Sequence, residues 1–269
     1  MIIFKSINKL NKEVNFKANI GFVPTMGALH AGHISLIKSS KLKCKKTLVS
    51  IFVNPSQFNK LNDYNNYPRK LSKDVKILKK LKVDYLLIPK NDEVYKDKKR
   101  MKILIPKKDK ILCAKYRPGH FEGVLAVINQ FLINLKPKYL FLGEKDYQQI
   151  YLIKKFVKKH FKIKIINCKI IRINNLLPYS SRNVLLKKKD MIKAKLVSIL
   201  LKKFHLSLKK NLKYSSDLKK IKKIILNENI KIDYFELRNK NNLSKKYTKK
   251  NLKIFIAYLI NGVRLIDNI

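Results

Sequence analysis

The stretch NIGFVPTMGALHAGH, residues 19–33, decides how this chain is read. Residues 19–24 are apolar enough for a buried strand. Gly27 then marks a turn, and His30-Ala31-Gly32-His33 opens a segment whose Ile34, Leu36, Ile37 and Leu42 recur at helical spacing. A strand that passes through a glycine turn into a helix start suits an anion. The first N–H groups of a helix lack intrahelical partners, and the helix dipole favours negative charge there. Two imidazoles one turn apart can donate to phosphate oxygens and stabilise a pentacovalent phosphorus. Gly32 lets a nucleotide approach the backbone closely. Either histidine alone would be read as a cap or a packing residue; the pair, in this strand–loop–helix context, points to phosphate chemistry.

Outward from this stretch the same alternation repeats. Strands are expected at residues 47–53 (TLVSIFV), 83–89 (VDYLLIP), 139–142 (YLFL) and 163–171 (IKIINCKII). Helices are expected at 71–81, with Leu71, Val75, Leu78 and Leu81 on one stripe, at 124–135 and at 148–160. Nearly all-apolar strands joined by helices imply a parallel sheet covered on both faces, with right-handed crossovers. The fold class is therefore α/β, a Rossmann-like doubly wound sheet, with ligands at the carboxyl ends of its strands. Past residue 171 the pattern changes. A polar turn, NNLLPYSSRN, precedes helices at 190–204 and 217–226 and strand-like runs at 232–238 and 252–258. The expected organisation is a domain over residues 1–170 and a smaller α+β domain over 171–269.

The chain has 269 residues, 46% hydrophobic and 30% charged, a globular composition. No apolar run approaches the roughly 20 residues that span a bilayer. Cys44, Cys113 and Cys168 form no metal-binding spacing, so free thiols are expected. The N-terminal residues lack the pattern of a signal peptide, which makes the cytoplasm the default location. The formal charge of +46 invites a nucleic-acid reading. Against it, the excess comes from 56 lysines spread along the whole chain, with only seven arginines. Arginine forks are what phosphate and base readers use where geometry matters. A/T-rich codon bias explains Lys, Ile and Asn together, so no specific nucleic-acid partner is expected, only salt-sensitive sticking.

Four further segments carry chemistry. In SIFVNPSQF, residues 50–58, a strand runs into Asn-Pro, and Gln57 can read a hydroxyl and a carboxylate together. Tyr67-Pro68-Arg69 follows. In RPGHFEG, residues 117–123, Arg117 and His120 either hold an anion or fix a loop, and Val124, Val127 and Ile128 offer an apolar wall. In GEKDYQQ, residues 143–149, Lys145 suits a triphosphate, Asp146 can accept from a ribose or from Lys145 or help position a cation, and Gln149 can face the same substrate as Gln57. Ser180-Ser181-Arg182 groups two hydroxyls and a guanidinium fit for phosphates, or else forms a turn and cap.

H-x-G-H by itself resembles a superfamily that includes class I aminoacyl-tRNA synthetases and small nucleotidylyltransferases. Together, PTMGALHAGH, SIFVNPSQF, YPR, RPGHFEGV, GEKDYQQ, SSRN and RLIDN resemble the pantothenate synthetase (pantoate–β-alanine ligase) family, in its order and across nearly the whole chain. The resemblance implies an ATP-dependent ligase that forms pantoyl adenylate and then pantothenate, AMP and pyrophosphate. It implies Mg²⁺ with ATP, and a homodimer made through the N-terminal domain. It places Met26, Gly27, Ala28, Leu29, His30, Ala31, Gly32, His33, Gly143, Glu144, Lys145, Asp146, Ile171, Tyr179, Ser180, Ser181 and Arg182 at ATP. Gln57 and Gln149 would hold pantoate, with β-alanine beside Gln57. The catalytic residues it implies are His33, His30, Lys145, Ser180, Ser181 and Arg182, with no protein-held metal. Two departures stand out: Asn175-Leu176-Leu177-Pro178-Tyr179 lacks the glycine usual before the serines, and residues 96–107 are short and lysine-rich. The competing readings are a nucleotidylyltransferase with the same H-x-G-H site and a basic RNA-binding protein. The former would make a nucleotide product from a phosphorylated substrate. The latter would need clustered arginines or aromatic platforms.

Overall fold

Residues 20–25 form the central strand of a six-stranded sheet in a computed structural model that describes residues 1–16, 19–95, 103–210 and 215–269. The chain divides into two units, Met1–Ile170 and Ile171–Ile269. In the first, the strands are β1 (Ile2–Phe4), β2 (Ile20–Thr25), β3 (Lys46–Ile51), β4 (Tyr85–Leu87), β5 (Tyr139–Gly143) and β6 (Lys164–Cys168). They lie in the order β1-β4-β3-β2-β5-β6, and every pair is parallel. The helices are α1 (Ile7–Glu13), α2 (Ala31–Lys43), α3 (Leu61–Asn65), α4 (Leu71–Lys80), α5 (Asn91–Val94), α6 (Cys113–Tyr116), α7 (His120–Leu135) and α8 (Tyr147–His160).

Neighbouring residues of a strand point to opposite faces. Val23 packs in one cluster with Ile37 of α2 and Leu78 of α4. Phe22 meets Phe131 of α7 edge-on, ring centroids 5.5 Å apart. Helices therefore cover both faces, as a doubly wound sheet requires. From β2 the chain builds outward through β3 and β4, then returns to place β5 on the other flank of β2. That reversal is the topological switch point, outside whose strand ends such sheets bind ligands. The H-x-G-H segment leaves the end of β2 and the GEKD segment leaves the end of β5.

The expected elements are present with shifted ends. α7 starts at His120 rather than 124, after Gly119 in the left-handed region (φ 80°). The stripe on α4 is rotated from its expected position. Leu71 is 45% exposed, and Asp74 takes the buried place beside Leu78. β1 and α1 went unforeseen, since a three-residue edge strand with Ile2 and Ile3 exposed carries little pattern. Of the lysine-rich stretch, residues 96–102 lie outside the described residues. All three cysteines are buried and free. Among the described residues, no helix is long and apolar enough to cross a membrane.

In the second unit, β7 (Arg172–Ile173) and β8 (Leu177–Pro178) form a hairpin. Its turn residues Asn174 and Asn175 have φ of 46° and 59°, and Leu176 N–H donates to Ile173 O at 2.9 Å. The three-residue loop Asn174–Leu176 thus opens on two left-handed residues, a conformation that asparagine tolerates where glycine is missing. Next come α9 (Lys188–Lys210), α10 (Ser215–Asn227), β9 (Lys231–Asn239), β10 (Leu252–Ile260) and β11 (Val263–Asn268). The sheet is antiparallel, in the order β11-β10-β9. Val197, Leu201 and Phe204 of α9 and Ile225 of α10 share a core with Ile254, Ile256 and Tyr258 of β10. The RLIDN motif is β11. Its Asp267 takes two bonds of 2.8 Å from Arg172, which also donates to Leu176 O and Asn268 O.

Candidate active site

The loop after β2 is built from the inside. Thr25 Oγ1 donates to Ser50 O at 2.8 Å and accepts Gly27 N–H at 3.2 Å. Gly27 and Ala28 both turn left-handed, with φ of 77° and 48°. The next two amides, Ala28 and Leu29, donate to the two oxygens of Asp74, each at 2.8 Å. These two donors are therefore taken up within the fold. What the loop offers an anion instead is the histidine pair.

His30 caps α2, its Nδ1 accepting Gly32 N–H at 3.1 Å, and His33 Nδ1 accepts His30 N–H at 3.4 Å. Both histidines therefore do act as caps. Since each Nδ1 accepts, each neutral ring carries its proton on Nε2, a tautomer assigned from these bonds. The rings lie 4.0 Å apart. Burial, reinforced by Lys145 and opposed by Asp146, lowers the His30 pKa to about 4. Burial, then His30 and Lys145, holds His33 well below 6.5. The pair is thus two neutral N–H donors at neutral pH, not two cations.

At the end of β5, residues Glu144–Asp146 make one helical turn before α8. Lys145 Nζ lies 3.7 Å from the half-exposed Asp146 carboxylate, a loose pair. Its charge is felt by both imidazoles, so the H-x-G-H and GEKD segments share one site. The adjacent glutamines differ. Gln148 is buried and donates to Asp109 O and Ile111 O, bracing α8, while Gln149 is only partly buried.

The third wall is the turn Pro55–Gln57. Asn54 caps it, accepting from Ser56 Oγ at 2.8 Å and Tyr95 OH at 2.7 Å and donating to Gly123 O at 3.1 Å. Gln57 is buried, and its Nε2 donates to Met26 Sδ. His120 Nδ1 donates to Gln57 O at 2.7 Å, Arg117 Nη2 donates there at 3.2 Å, and Arg117 Nη1 donates to His120 Nε2 at 3.0 Å. Of the two readings of Arg117 and His120, loop fixing is what they do: they pin the Gln57 backbone. Arg69 likewise stacks on Tyr64 and donates to the carbonyls of Tyr64, Asn65 and Tyr67. Val124, Val127 and Ile128 are buried in the core. Behind the loop, between Met26, Gly27, Ile51, Phe52 and Asp74, lies a cavity of about 320 Å³.

The remaining expected residues belong to the second unit. Ile171 O accepts Tyr179 N–H at 3.0 Å. Ser180 Oγ caps the short helix Ser181–Leu185, accepting Arg182 N–H at 3.2 Å, and Asn183 Oδ1 accepts Ser180 N–H at 2.6 Å. Ser181 is buried and Arg182 partly exposed.

Two residues with clear work in the site were not singled out from sequence. Asn54 was seen only as part of a turn. Asp74 had one signal: a carboxylate inside an otherwise apolar helical stripe.

A doubly wound α/β unit, with paired neutral imidazoles and a lysine at its switch point, defines an enzyme acting on phosphates of the H-x-G-H kind. The pantoate-beta-alanine ligase family model matches residues 2–269. The pantothenate synthetase of Francisella philomiragia is 43% identical, covering 100% of this chain and 97% of that protein. That of Francisella tularensis subsp. novicida is 42% identical over 100% and 97%. Among solved structures, the Francisella tularensis ligase complexed with "Beta-gamma ATP and Beta-alanine" is 40% identical, with a TM-score of 0.86 over 100% of this chain and 97% of that one. The Thermus thermophilus pantothenate synthetase has a TM-score of 0.93 at 27% identity, covering 100% and 99%. The chain belongs to the pantoate-beta-alanine ligase family, and it is a ligase of that kind.

Proposed function

We propose that this ligase condenses pantoate with β-alanine in two steps at the switch point of its first unit. A pantoate carboxylate oxygen attacks the α-phosphorus of ATP. The Pα–O bond to the β-phosphate breaks, and pyrophosphate leaves. The β-alanine amine then attacks the acyl carbon of pantoyl adenylate, and AMP leaves with the C–O bond pair. No protein nucleophile is needed; alignment and charge stabilisation carry both steps. The observation that carries the reading is the imidazole pair. Two Nε2–H donors beside one lysine suit an α-phosphate that gains charge as it becomes pentacovalent.

His33 and His30 act as those donors, and Lys145 as the mobile cation on the triphosphate. Met26 to His33 and Gly143 to Asp146 supply the nucleotide side, and Gln57 and Gln149 the pantoate side. β-Alanine is placed beside Gln57; the Francisella tularensis ligase was solved in complex with β-alanine. We assign Ser180, Ser181 and Arg182 to the phosphates, and Ile171 and Tyr179 to the nucleotide, on the chemistry of their side chains. Mg²⁺ enters as the ion of its substrate ATP. Among the described residues no group of three or more His, Cys, Asp or Glu could hold a metal, and Mg²⁺ on phosphates with water needs no dedicated cage. The ligase acts in the cytoplasm as a homodimer, which sedimentation would test.

Pyrophosphate–ATP exchange with Mg²⁺ and pantoate, without β-alanine, tests the first step. Label entering ATP only with pantoate present supports the reading. Pantoate-independent exchange, or none from a folded protein that binds ATP, overturns it.

A further inference from the structure

We propose that Asp74 is a positioning residue of this site: its carboxylate sets the double left-handed turn that aims His30 and His33. Asp74 lies in the first turn of α4 and is 1% exposed. Among the described residues no lysine or arginine nitrogen pairs with it. A buried carboxylate without a cation is costly, and it persists only where hydrogen bonds satisfy it. Both of its oxygens are taken by backbone N–H groups, Ala28 and Leu29, at 2.8 Å. Those are the two amides immediately before the cap residue His30.

The turn needs such a holder. Ala28 sits at φ 48°, a region that disfavours residues with a Cβ. Gly27 is pressed against the same carboxylate: a Cβ there would lie 3.0 Å from Asp74 Oδ2 and 3.1 Å from Ile51. From Leu29 the chain enters α2, where the His30 and His33 Nδ1 atoms take backbone protons, so each neutral ring carries its own proton on Nε2. Freed from Asp74, the loop relaxes toward right-handed or extended backbone, and the cap that fixes both tautomers loosens. Neither a packing residue nor an ordinary helix surface residue would need two acceptors here.

This inference deepens the proposed function and rests on it for its kinetic part only. The test compares wild type with Asp74→Asn. An amide has one acceptor and one donor group where two donors must be met, so it loses one bond and opposes N–H to N–H. Two-bond proton–nitrogen correlation spectra of the five histidines, assigned by His30→Gln and His33→Gln variants, read the tautomers without any substrate. The expected result for a folded D74N is loss of the single Nε2–H tautomer at His30 or His33. With it, kcat for pantoate-dependent exchange falls about 30- to 100-fold, the scale of a 1 Å misplacement, while the pantoate KM changes less than about 3-fold. Unchanged tautomers in a folded D74N overturn the proposal, as does unchanged kcat when wild type is active. If D74N does not fold, Asp74→Glu is read instead. Both acceptors are then kept on a longer stem, and mixed tautomers with intermediate kcat are expected. Unaltered spectra in D74E, or failure of both variants to fold, overturn the proposal, because Asp74 would then hold the unit and not the loop.

Discussion

The site depends on an approach between two backbones at Gly123. A Cβ built there would lie 2.2 Å from Ser56 O, 2.5 Å from Ser56 C and 2.9 Å from Gln57 N. Ordinary contact begins near 3.4 Å, so Gly123→Ala must separate α7 from the turn Pro55–Gln57 by at least about 1.2 Å. The obstacle is backbone, so no rotamer change relieves it. The turn is also held from the same side, by Asn54 Nδ2 on Gly123 O and by His120 and Arg117 on Gln57 O. Moving it strains all three bonds and shifts Gln57 against Met26. Overpacking of this kind costs about 1–3 kcal/mol, or roughly 2–4 °C of Tm for each kcal/mol in a unit of this size. The kinetic cost is larger, since a misplacement of about 1 Å removes on the order of 10²-fold from a positioned reaction. The assay is pyrophosphate–ATP exchange over a pantoate series, with circular dichroism to show folding. Gly262→Ala is the control. Gly262 has φ 80° with nothing near its Cβ position, and it lies in the turn between β10 and β11. It should cost comparable stability and leave kcat/KM alone. A folded G123A whose kcat/KM stays within about threefold of wild type would falsify the reasoning.

Three other outcomes are expected. The His30 pKa is depressed to about 4 in the folded chain, against 6.5 unfolded. The unfolded state therefore binds the proton first, and stability is lost as pH falls from about 6.5 to 4. At 1.36 kcal/mol per unit, this amounts to at most about 3 kcal/mol. Urea melts of His30→Asn, which keeps a cap acceptor, should flatten that dependence relative to wild type; parallel curves would show that His30 is not the group. Asp267→Asn leaves the half-buried Arg172 without its counter-charge, so the second unit should lose about 3 kcal/mol, read by chemical denaturation; a loss under 1 kcal/mol would mean that solvent screens the pair. With a formal charge of +46, self-repulsion should weaken the fold at low salt. Tm should rise between 10 and 300 mM NaCl, and a flat or falling Tm would contradict this.

The alternation of apolar strands with helical stripes was enough to predict the doubly wound sheet, because buried parallel strands cannot hide their composition. The H-x-G-H, NPSQF and GEKD motifs were legible because each follows the end of a strand. What stayed hidden was hidden for identifiable reasons. β1 is three residues long and half exposed. β11 was not among the expected strands, although Asn261-Gly262 before it is a dipeptide that favours two-residue hairpin turns, and both residues take positive φ. Arg117 and His120 could not be assigned from sequence, since their partner is the backbone carbonyl of Gln57, 60 and 63 residues away. A carbonyl leaves no mark in a sequence. Asp74 is the same case: its partners are two amides 46 and 45 residues distant. Side chains that serve a remote backbone are the part of a site that pattern reading misses.

The state of the histidines follows from the same bookkeeping of backbone partners. Read as residue types, His30 and His33 suggest positive charge for a phosphate. Once each Nδ1 is occupied by an amide, a second proton has nowhere to go without breaking the cap of α2. Lys145 adds a cation that disfavours it further. The pair is left with N–H dipoles fixed in direction, which need no reorganisation when the α-phosphate expands its coordination. Lys145 carries a full positive charge beside the pair, 3.7 Å from the Asp146 carboxylate. In the proposed mechanism, fixed neutral donors at the reacting phosphorus and a cation for the departing pyrophosphate would divide the task. A fixed imidazolium pair would hold pyrophosphate as firmly as it held the transition state, lowering KM without raising kcat.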